Sequence, residues 1–123
     1  MRRPISYLAG LLLVLLPALA QAEMVLLMAE EEGCAWCRRW DADIAEIYPE
    51  TPEGKAAPLL RMDIRDAPPE GTELTRPLHF TPTFVLLDDG RETGRIEGYP
   101  GEDFFWGLLG MMLREAGALP GSG

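Results

Sequence analysis

Two cysteines, Cys34 and Cys37, stand between an apolar run and a stretch with the periodicity of an amphipathic helix. Residues 24–28 form the apolar run, which predicts a short strand that is buried on both faces. The apolar positions that follow are spaced three, four and three residues apart, as on one face of a helix, and they are Cys37, Trp40, Ile44 and Ile47. Pro49 ends the predicted helix, because proline disfavours helical geometry in the residue before it. With the elements predicted further along the chain, the order is strand, helix, strand, irregular crossover, strand, strand, helix, which indicates a small α/β sandwich.

The position of Cys34 at the start of the predicted helix gives its sulfur a particular environment. Unpaired backbone N–H groups and the positive end of the helix dipole both favour the thiolate, which is the reactive nucleophile. Cys37 lies about one turn further along, on the apolar face, so we expect it to be more buried. These positions predict dithiol–disulfide exchange, in which Cys34 attacks a partner disulfide and Cys37 resolves the mixed disulfide.

Two other interpretations compete with a catalytic pair. A structural zinc site needs four ligands, and two cysteines with one histidine cannot supply them. An inert structural disulfide would gain little stability, because the loop that it closes is very short. We therefore expect no metal and no cofactor other than a redox-active disulfide between Cys34 and Cys37.

The acidic composition argues against several classes of partner. The 123 residues fit one small domain. A formal net charge of −9 argues against nucleic acid, which needs a basic face, and against electrostatic attachment to a membrane surface. The three glutamates at 30–32, beside Cys34, are interpreted as a solvated loop or as a surface that selects basic or neutral partners.

The first 22 residues have the organisation of a bacterial secretory signal peptide. Arg2 and Arg3 precede an apolar run over residues 5–16, and a small-residue pattern follows Pro17 up to Ala22. The run is shorter than the ~20 residues of a membrane-spanning helix, although an uncleaved anchor is the alternative. Cleavage after Ala22 would leave a periplasmic protein without stable membrane insertion, with a folded domain over 23–117 and a flexible tail over 118–123.

The rest of the chain is predicted as strands and loops that close with a helix. We predict a loop over 50–57, a strand over 59–64, an irregular crossover over 66–78 and a strand over 83–87. A turn at 88–90 leads into an antiparallel edge strand over 91–97. The last helix begins at Glu102 and Asp103, whose charges favour a helix N-terminus, and it ends near Gly117.

A second motif, Phe80-Thr81-Pro82-Thr83, opens the strand of the predicted hairpin. Together with the Cys-x-x-Cys pair at a helix start, it resembles the thioredoxin family over residues 24–116. The resemblance implies a minimal thioredoxin-like fold, with a central mixed sheet of about four strands flanked by helices. It also implies that Pro82 is cis and faces the disulfide, and that Thr81 offers backbone groups to a bound substrate chain. Trp36, between the cysteines, is interpreted as an exposed contact for a partner or, alternatively, as a packing residue at the helix start.

The chain departs from the thioredoxin pattern in several places. Met28 stands six residues before Cys34, where thioredoxins carry a buried acid that relays protons. The resemblance then implies that protons pass through water or a nearby glutamate. The extra strand and helix that precede the thioredoxin core have no counterpart after residue 22, and Ala-Trp replaces Gly-Pro between the cysteines.

The details of the motifs narrow the resemblance. A threonine before the proline and an aromatic residue between the cysteines are shared with periplasmic disulfide oxidoreductases, and the short chain is similar to the small periplasmic thioredoxins of bacterial sulfur-oxidation operons. This implies a thiol–disulfide oxidoreductase that acts on protein thiols and disulfides. It would work as a reductase, keep cysteines of a sulfur-oxidation system reduced and receive electrons from a membrane thiol transporter. The alternatives are a cytochrome c maturation thioredoxin and a non-catalytic binding or regulatory protein with the same fold.

Overall fold

The computed structural model describes residues 23–121, together with the isolated residues 2, 4, 10 and 13. The predicted signal peptide, residues 1–22, lies outside the described residues apart from those four positions. Among the helices described, none has the length and apolar character needed to cross a membrane.

A four-stranded mixed sheet forms the centre of the described domain, as the sequence predicted. Its strands are β1 (Met24–Glu30), β2 (Leu59–Asp63), β3 (Thr83–Asp88) and β4 (Arg91–Glu97). The spatial order is β2-β1-β3-β4, with β1 parallel to β2 and antiparallel to β3, and with β3 antiparallel to β4. The central strands β1 and β3 are buried on both faces, which explains their continuous apolar runs. The polar strand β4 lies at an edge, also as predicted.

The two faces of the sheet are covered in different ways. The helices α1 (Ala35–Trp40), α2 (Pro52–Ala56) and α3 (Glu102–Glu115) contribute to one large core cluster. At its centre the rings of Trp40, Phe84 and Phe105 pack with centroids 4.9–5.8 Å apart. The opposite face carries a smaller cluster from β1 and β3, and among the described residues it is Leu74 and Leu78 of the irregular segment that cover it.

The first helix follows the predicted stripe only in part. Helix α1 continues as a π-helix over Asp41–Ala45, in which each turn takes an additional residue. The buried positions are therefore Trp40, Ile44 and Tyr48, spaced by four, whereas Ile47 is 54% exposed. The prediction for Ile47 was wrong because the π-helix rotates the following residue, Tyr48, into the core.

Residues 50–57 were predicted as a loop, and this was wrong, because they contain helix α2. Thr51 caps this helix by accepting a hydrogen bond from the Gly54 N–H at 2.9 Å, and its hydroxyl donates to the Tyr48 carbonyl at 2.7 Å. Pro52 takes the first helical position, where its missing N–H carries no penalty. The Thr51-Pro52 pair is a helix-start signal that the sequence does contain.

Helix α3 confirms the prediction of a closing helix. Its fully buried side chains lie on one face and are Phe105, Leu109 and Leu113. Trp106 stacks on Tyr48 with ring planes 12° apart, which joins α3 to the segment that follows α1. Phe104 and Met111 remain exposed.

Residues 117–119 close the end of helix α3. The Ala118 N–H donates to the Leu113 carbonyl at 2.8 Å, and Gly117 has φ 74°, which together form a Schellman cap at the end of α3. Ala118 and Leu119 pack against the large core cluster.

Alanine substitutions at two helical glycines are expected to change the free energy of unfolding in opposite directions. A Cβ at Gly54 would lie 1.8 Å from the Tyr48 carbonyl oxygen, so the backbone must move. We expect Gly54→Ala to lower the free energy of unfolding by about 1–3 kcal/mol. A Cβ at Gly107 would meet nothing within 4 Å, and Gly107→Ala should raise it by about 0.5–1 kcal/mol. Urea unfolding of the oxidised protein, followed by circular dichroism, measures both, and equal effects would contradict the packing.

Candidate active site

A disulfide joins Cys34 and Cys37 at the start of α1, with the two Cα atoms 5.3 Å apart. Cys34 is the N-cap residue, with φ −79° and ψ 104°, and the Cys37 N–H donates to its Sγ at 3.1 Å. After reduction the same N–H can donate to a Cys34 thiolate, and a hydrogen bond to the charged form stabilises that form. Cys34 is half-buried and Cys37 is 5% exposed, which is the order of accessibility that the sequence predicted.

A tight turn brings the chain from β1 to Cys34. The Cys34 N–H donates to the Glu31 carbonyl at 3.3 Å, and Gly33 in this turn has φ 82°. A positive φ of this size is strained for residues with a Cβ, so the glycine allows the cysteine to follow immediately. The turn therefore fixes where the helix begins and where the Cys34 sulfur lies.

The segment before β3, residues 78–82, reaches the same end of the sheet and is called here the cis-proline loop. The antiparallel pairing of Ala29 with Thr83 places the end of β1 beside the start of β3. The Thr81–Pro82 peptide bond is cis, and Pro82 is buried. The Pro82 carbonyl accepts a hydrogen bond from the Gly98 N–H at 2.7 Å, which holds the loop against the end of β4.

Glu31 connects the turn before Cys34 to the cis-proline loop. Its Oε1 accepts a hydrogen bond from the Thr81 Oγ1 at 2.9 Å, while its backbone carbonyl accepts from Cys34. The interpretation of residues 30–32 as a solvated loop agrees with the exposure of Glu31 and Glu32, but it was wrong for Glu30, which ends β1, and it missed this contact. The sequence carries no signal for it, because 50 positions separate the two side chains.

Two exposed aromatic side chains flank the site. Trp36 is 61% exposed and borders a hollow of about 370 Å³ that Arg38 and Arg39 also line. Phe80 is 56% exposed and borders a second hollow, of about 410 Å³, beside Thr81. The exposure of Trp36 favours the interpretation as a partner contact over that as a packing residue.

Arg61 of β2 pairs with two carboxylates beside the site. Its guanidinium donates to Glu30 at 2.7 Å and to Asp41 at 2.6 Å, and it lies 5.5 Å from the centroid of the Trp40 ring. Burial alone would lower the pKa of Arg61, but the hydrogen bonds with Asp41 and Glu30 outweigh burial and raise the pKa. The end of β1 is thereby tied to the helical segment that follows Cys37.

Tyr99 holds the same helical segment from the other side. Its hydroxyl donates to the Asp43 Oδ2 at 2.8 Å, and burial together with this hydrogen bond raises the pKa of Tyr99. Tyr99 follows Gly98, whose N–H holds Pro82. The segment Gly98-Tyr99 is therefore hydrogen-bonded both to the π-helix that continues α1 and to the cis-proline loop.

Met28 occupies the strand position six residues before Cys34, and it is fully buried in the large core cluster together with Cys37. A thioether cannot take up or release a proton near neutral pH. This position therefore offers no carboxylate to relay a proton to or from Cys37.

Reduction of the disulfide would leave one sulfur open to attack a partner and a second sulfur placed to release that partner. The sheet has the strand order β2-β1-β3-β4, a cis-proline precedes β3, and the two sulfurs lie at the start of α1. One known class of protein combines these features with dithiol–disulfide exchange. That class is the thiol–disulfide oxidoreductases with a thioredoxin fold.

Among solved structures, the chain is similar to the periplasmic thioredoxin SoxS from Paracoccus pantotrophus in its reduced form. The two are 56% identical, with a TM-score of 0.75, and the match covers 76% of this chain and 99% of SoxS. No protein-family model and no curated protein matches the chain. The chain belongs to the thioredoxin family. It is a thiol–disulfide oxidoreductase, as predicted from Cys34 and Cys37, and membership of this family implies protein thiols and disulfides as substrates.

The reduced protein should show a large difference in reactivity between its two cysteines. Cys34 is half-buried and its sulfur accepts the Cys37 N–H, whereas Cys37 is buried. Iodoacetamide near neutral pH should alkylate Cys34 at least ~10-fold faster than Cys37, as read by peptide mass spectrometry. In urea the two rates should converge, which serves as the control. Preferential labelling of Cys37 in the folded protein would contradict the assignment of Cys34 as the attacking residue.

Proposed function

We propose that the protein is exported to the periplasm and acts there as a reductase that keeps cysteines of a sulfur-oxidation system reduced. The observation that carries this proposal is the accessible Cys34 sulfur at the start of α1, beside the cis-proline loop, in a chain 56% identical to a periplasmic thioredoxin. In this proposal residues 1–22 are the signal peptide, and cleavage after Ala22 releases the domain.

The exchange proceeds in two balanced steps. The Cys34 thiolate attacks one sulfur of the substrate disulfide, forms a mixed disulfide and expels the other substrate sulfur as a thiolate. The Cys37 thiolate then attacks the Cys34 Sγ, closes the Cys34–Cys37 disulfide and releases the second substrate thiolate. Two electrons pass to the substrate. The protons reach the released sulfurs through water or a nearby glutamate, since Met28 offers no carboxylate.

The substrate chain, in this proposal, lies across the cis-proline loop. The hydroxyl of Thr81 is engaged by Glu31, and this contact fixes the orientation of the Thr81 backbone beside the turn before Cys34. An extended substrate segment can then pair with that backbone as an added strand. Trp36 on the helix side and Phe80 on the loop side offer exposed apolar contacts to the residues around the target cysteine.

The reducing direction requires a supply of electrons, because each turnover leaves the Cys34–Cys37 disulfide oxidised. The periplasm favours disulfides, so the electrons must cross the membrane. A membrane thiol transporter is the proposed donor, and it would reduce the Cys34–Cys37 disulfide by the same exchange chemistry.

Trapping tests the proposal directly. Cys37→Ser removes the resolving sulfur, so Cys34 should remain bound to its substrate as a mixed disulfide. The variant is exported in a sulfur-oxidising host, and we expect an adduct on non-reducing gels that dithiothreitol releases. Cys34→Ser is the matched control and should give no adduct.

The partner identified by mass spectrometry decides the substrate. A cysteine-bearing carrier protein of sulfur oxidation would support the proposal. An apocytochrome c trapped through its haem-binding cysteines would indicate cytochrome c maturation instead. The absence of any adduct from an exported, folded Cys37→Ser variant would contradict exchange with a protein substrate in the periplasm.

A further inference from the structure

Arg95 of β4 is a buried charged side chain that the exchange chemistry does not use. Its side chain is 4% exposed, and its pairing with Val85 of β3 places it on the face that the irregular segment covers. The Nη2 donates to the Arg76 carbonyl at 2.8 Å, and the Nη1 donates to the Pro77 carbonyl at 3.0 Å. These two carbonyls lie immediately before the cis-proline loop.

Glu92 balances the charge of Arg95. The Arg95 Nε and Nη2 donate to the two Glu92 carboxylate oxygens at 3.0 and 2.7 Å, and the Glu92 side chain is also 4% exposed. The Glu92 Oε1 accepts a further hydrogen bond from the Thr75 N–H at 3.1 Å. Burial alone would raise the pKa of Glu92, but the hydrogen bonds from Arg95 and Thr75 outweigh it and lower the pKa. The buried pair is therefore ionised and hydrogen-bonded, as a stable buried pair must be.

Glu97 extends this group of charges to the site. Its carboxylate pairs with Arg76 and lies 4.0 Å from the Arg95 Nη1. Glu97 also lines the hollow beside Phe80 and Thr81. A continuous set of contacts thus runs from Arg95 to the surface where the substrate chain is proposed to lie.

We propose that Arg95 is a positioning residue for the substrate, which fixes the start of the cis-proline loop through the carbonyls of Arg76 and Pro77. The inference rests on the proposed role of that loop in holding the substrate chain. The loop has no helix or strand of its own, so its position depends on such anchors and on Leu78, which packs on the smaller core cluster. A guanidinium suits this task because its planar fork can make all four hydrogen bonds to the two carbonyls and the Glu92 carboxylate, whereas an ammonium has only three N–H donors and no fixed fork.

The test compares a protein substrate with a small one. Insulin presents its disulfides within a chain that must dock, whereas hydroxyethyl disulfide needs only access to Cys34. Arg95→Met removes the donors at similar volume. It should lower the rate constant for insulin reduction about tenfold and that for hydroxyethyl disulfide less than about twofold. Arg95→Lys keeps the charge without the fork and should fall between Arg95→Met and the unmodified protein.

Arg91→Met is the matched control. Arg91 lies on the same strand and pairs with Glu73 of the irregular segment, but both side chains are more than 70% exposed. Such exposed pairs contribute little, so this variant should change neither rate constant. If Arg95→Met fails to fold, Arg95→Lys carries the test through the ratio of the two rate constants.

Two results would overturn the inference. An equal fall with both substrates would make Arg95 a purely structural residue, and unchanged rates for both Arg95 variants would remove any role. Pro82→Ala, measured alongside, separates this inference from the proposed function. If Pro82→Ala lowers insulin reduction and the Arg95 variants do not, only the role of Arg95 fails. If Pro82→Ala also has no effect, the cis-proline loop does not hold the substrate and the role of Arg95 fails with it, whereas exchange through Cys34 and Cys37 is still judged by the trapping experiment.

Discussion

The antiparallel register between β1 and β3 is the constraint on which the site depends. Ala29 pairs with Thr83, so the chain leaves β1 toward Cys34 at the same end of the sheet at which it enters β3 from the cis-proline loop. The hydrogen bond between Glu31 and Thr81 can form only because this register brings two distant segments together. A slip of one residue would turn the buried side chains of β1 to the opposite face. The packing of the core and the geometry of the site are therefore fixed by the same pairing.

Several independent contacts hold the helical segment that follows Cys34. Trp40 packs against Phe84 of the sheet with ring centroids 5.3 Å apart, and an aromatic contact of this kind adds about 0.5–1.5 kcal/mol beyond burial. Arg61 and Tyr99 bind carboxylates of the following π-helix from two sides. The helical segment that begins at Cys34 is therefore fixed by side chains that are buried or hydrogen-bonded. A fixed nucleophile needs to lose less freedom when a partner sulfur approaches in line with it.

The sequence predicted the parts of the fold that local periodicity controls and missed those that depend on distant contacts. The apolar run at 24–28 and the spacing of Cys37 and Trp40 were enough to place the site at a strand-to-helix junction. The spacing could not distinguish Ile47 from Tyr48, because both are apolar and a π-helix selects the second. The burial of Arg95 could not be predicted either, since a charged residue on a polar edge strand looks solvated and its partners come from a segment without periodicity.

The two faces of the sheet are covered in different ways, and a buried ion pair lies on one of them. Helices and aromatic rings cover the first face, whereas the second is covered by an irregular segment with Leu74 and Leu78. The carbonyls of such a segment have no partners in a helix or a strand, and a buried arginine can donate to them only if its own charge is met. Glu92 meets that charge. The Glu92–Arg95 pair thus anchors the irregular segment that covers this face. Loss of either side chain would leave the other as an uncompensated buried charge. The start of the cis-proline loop therefore depends on the Glu92–Arg95 pair and on the packing of Leu78, whereas the start of α1 is held by aromatic packing, a turn and several hydrogen bonds.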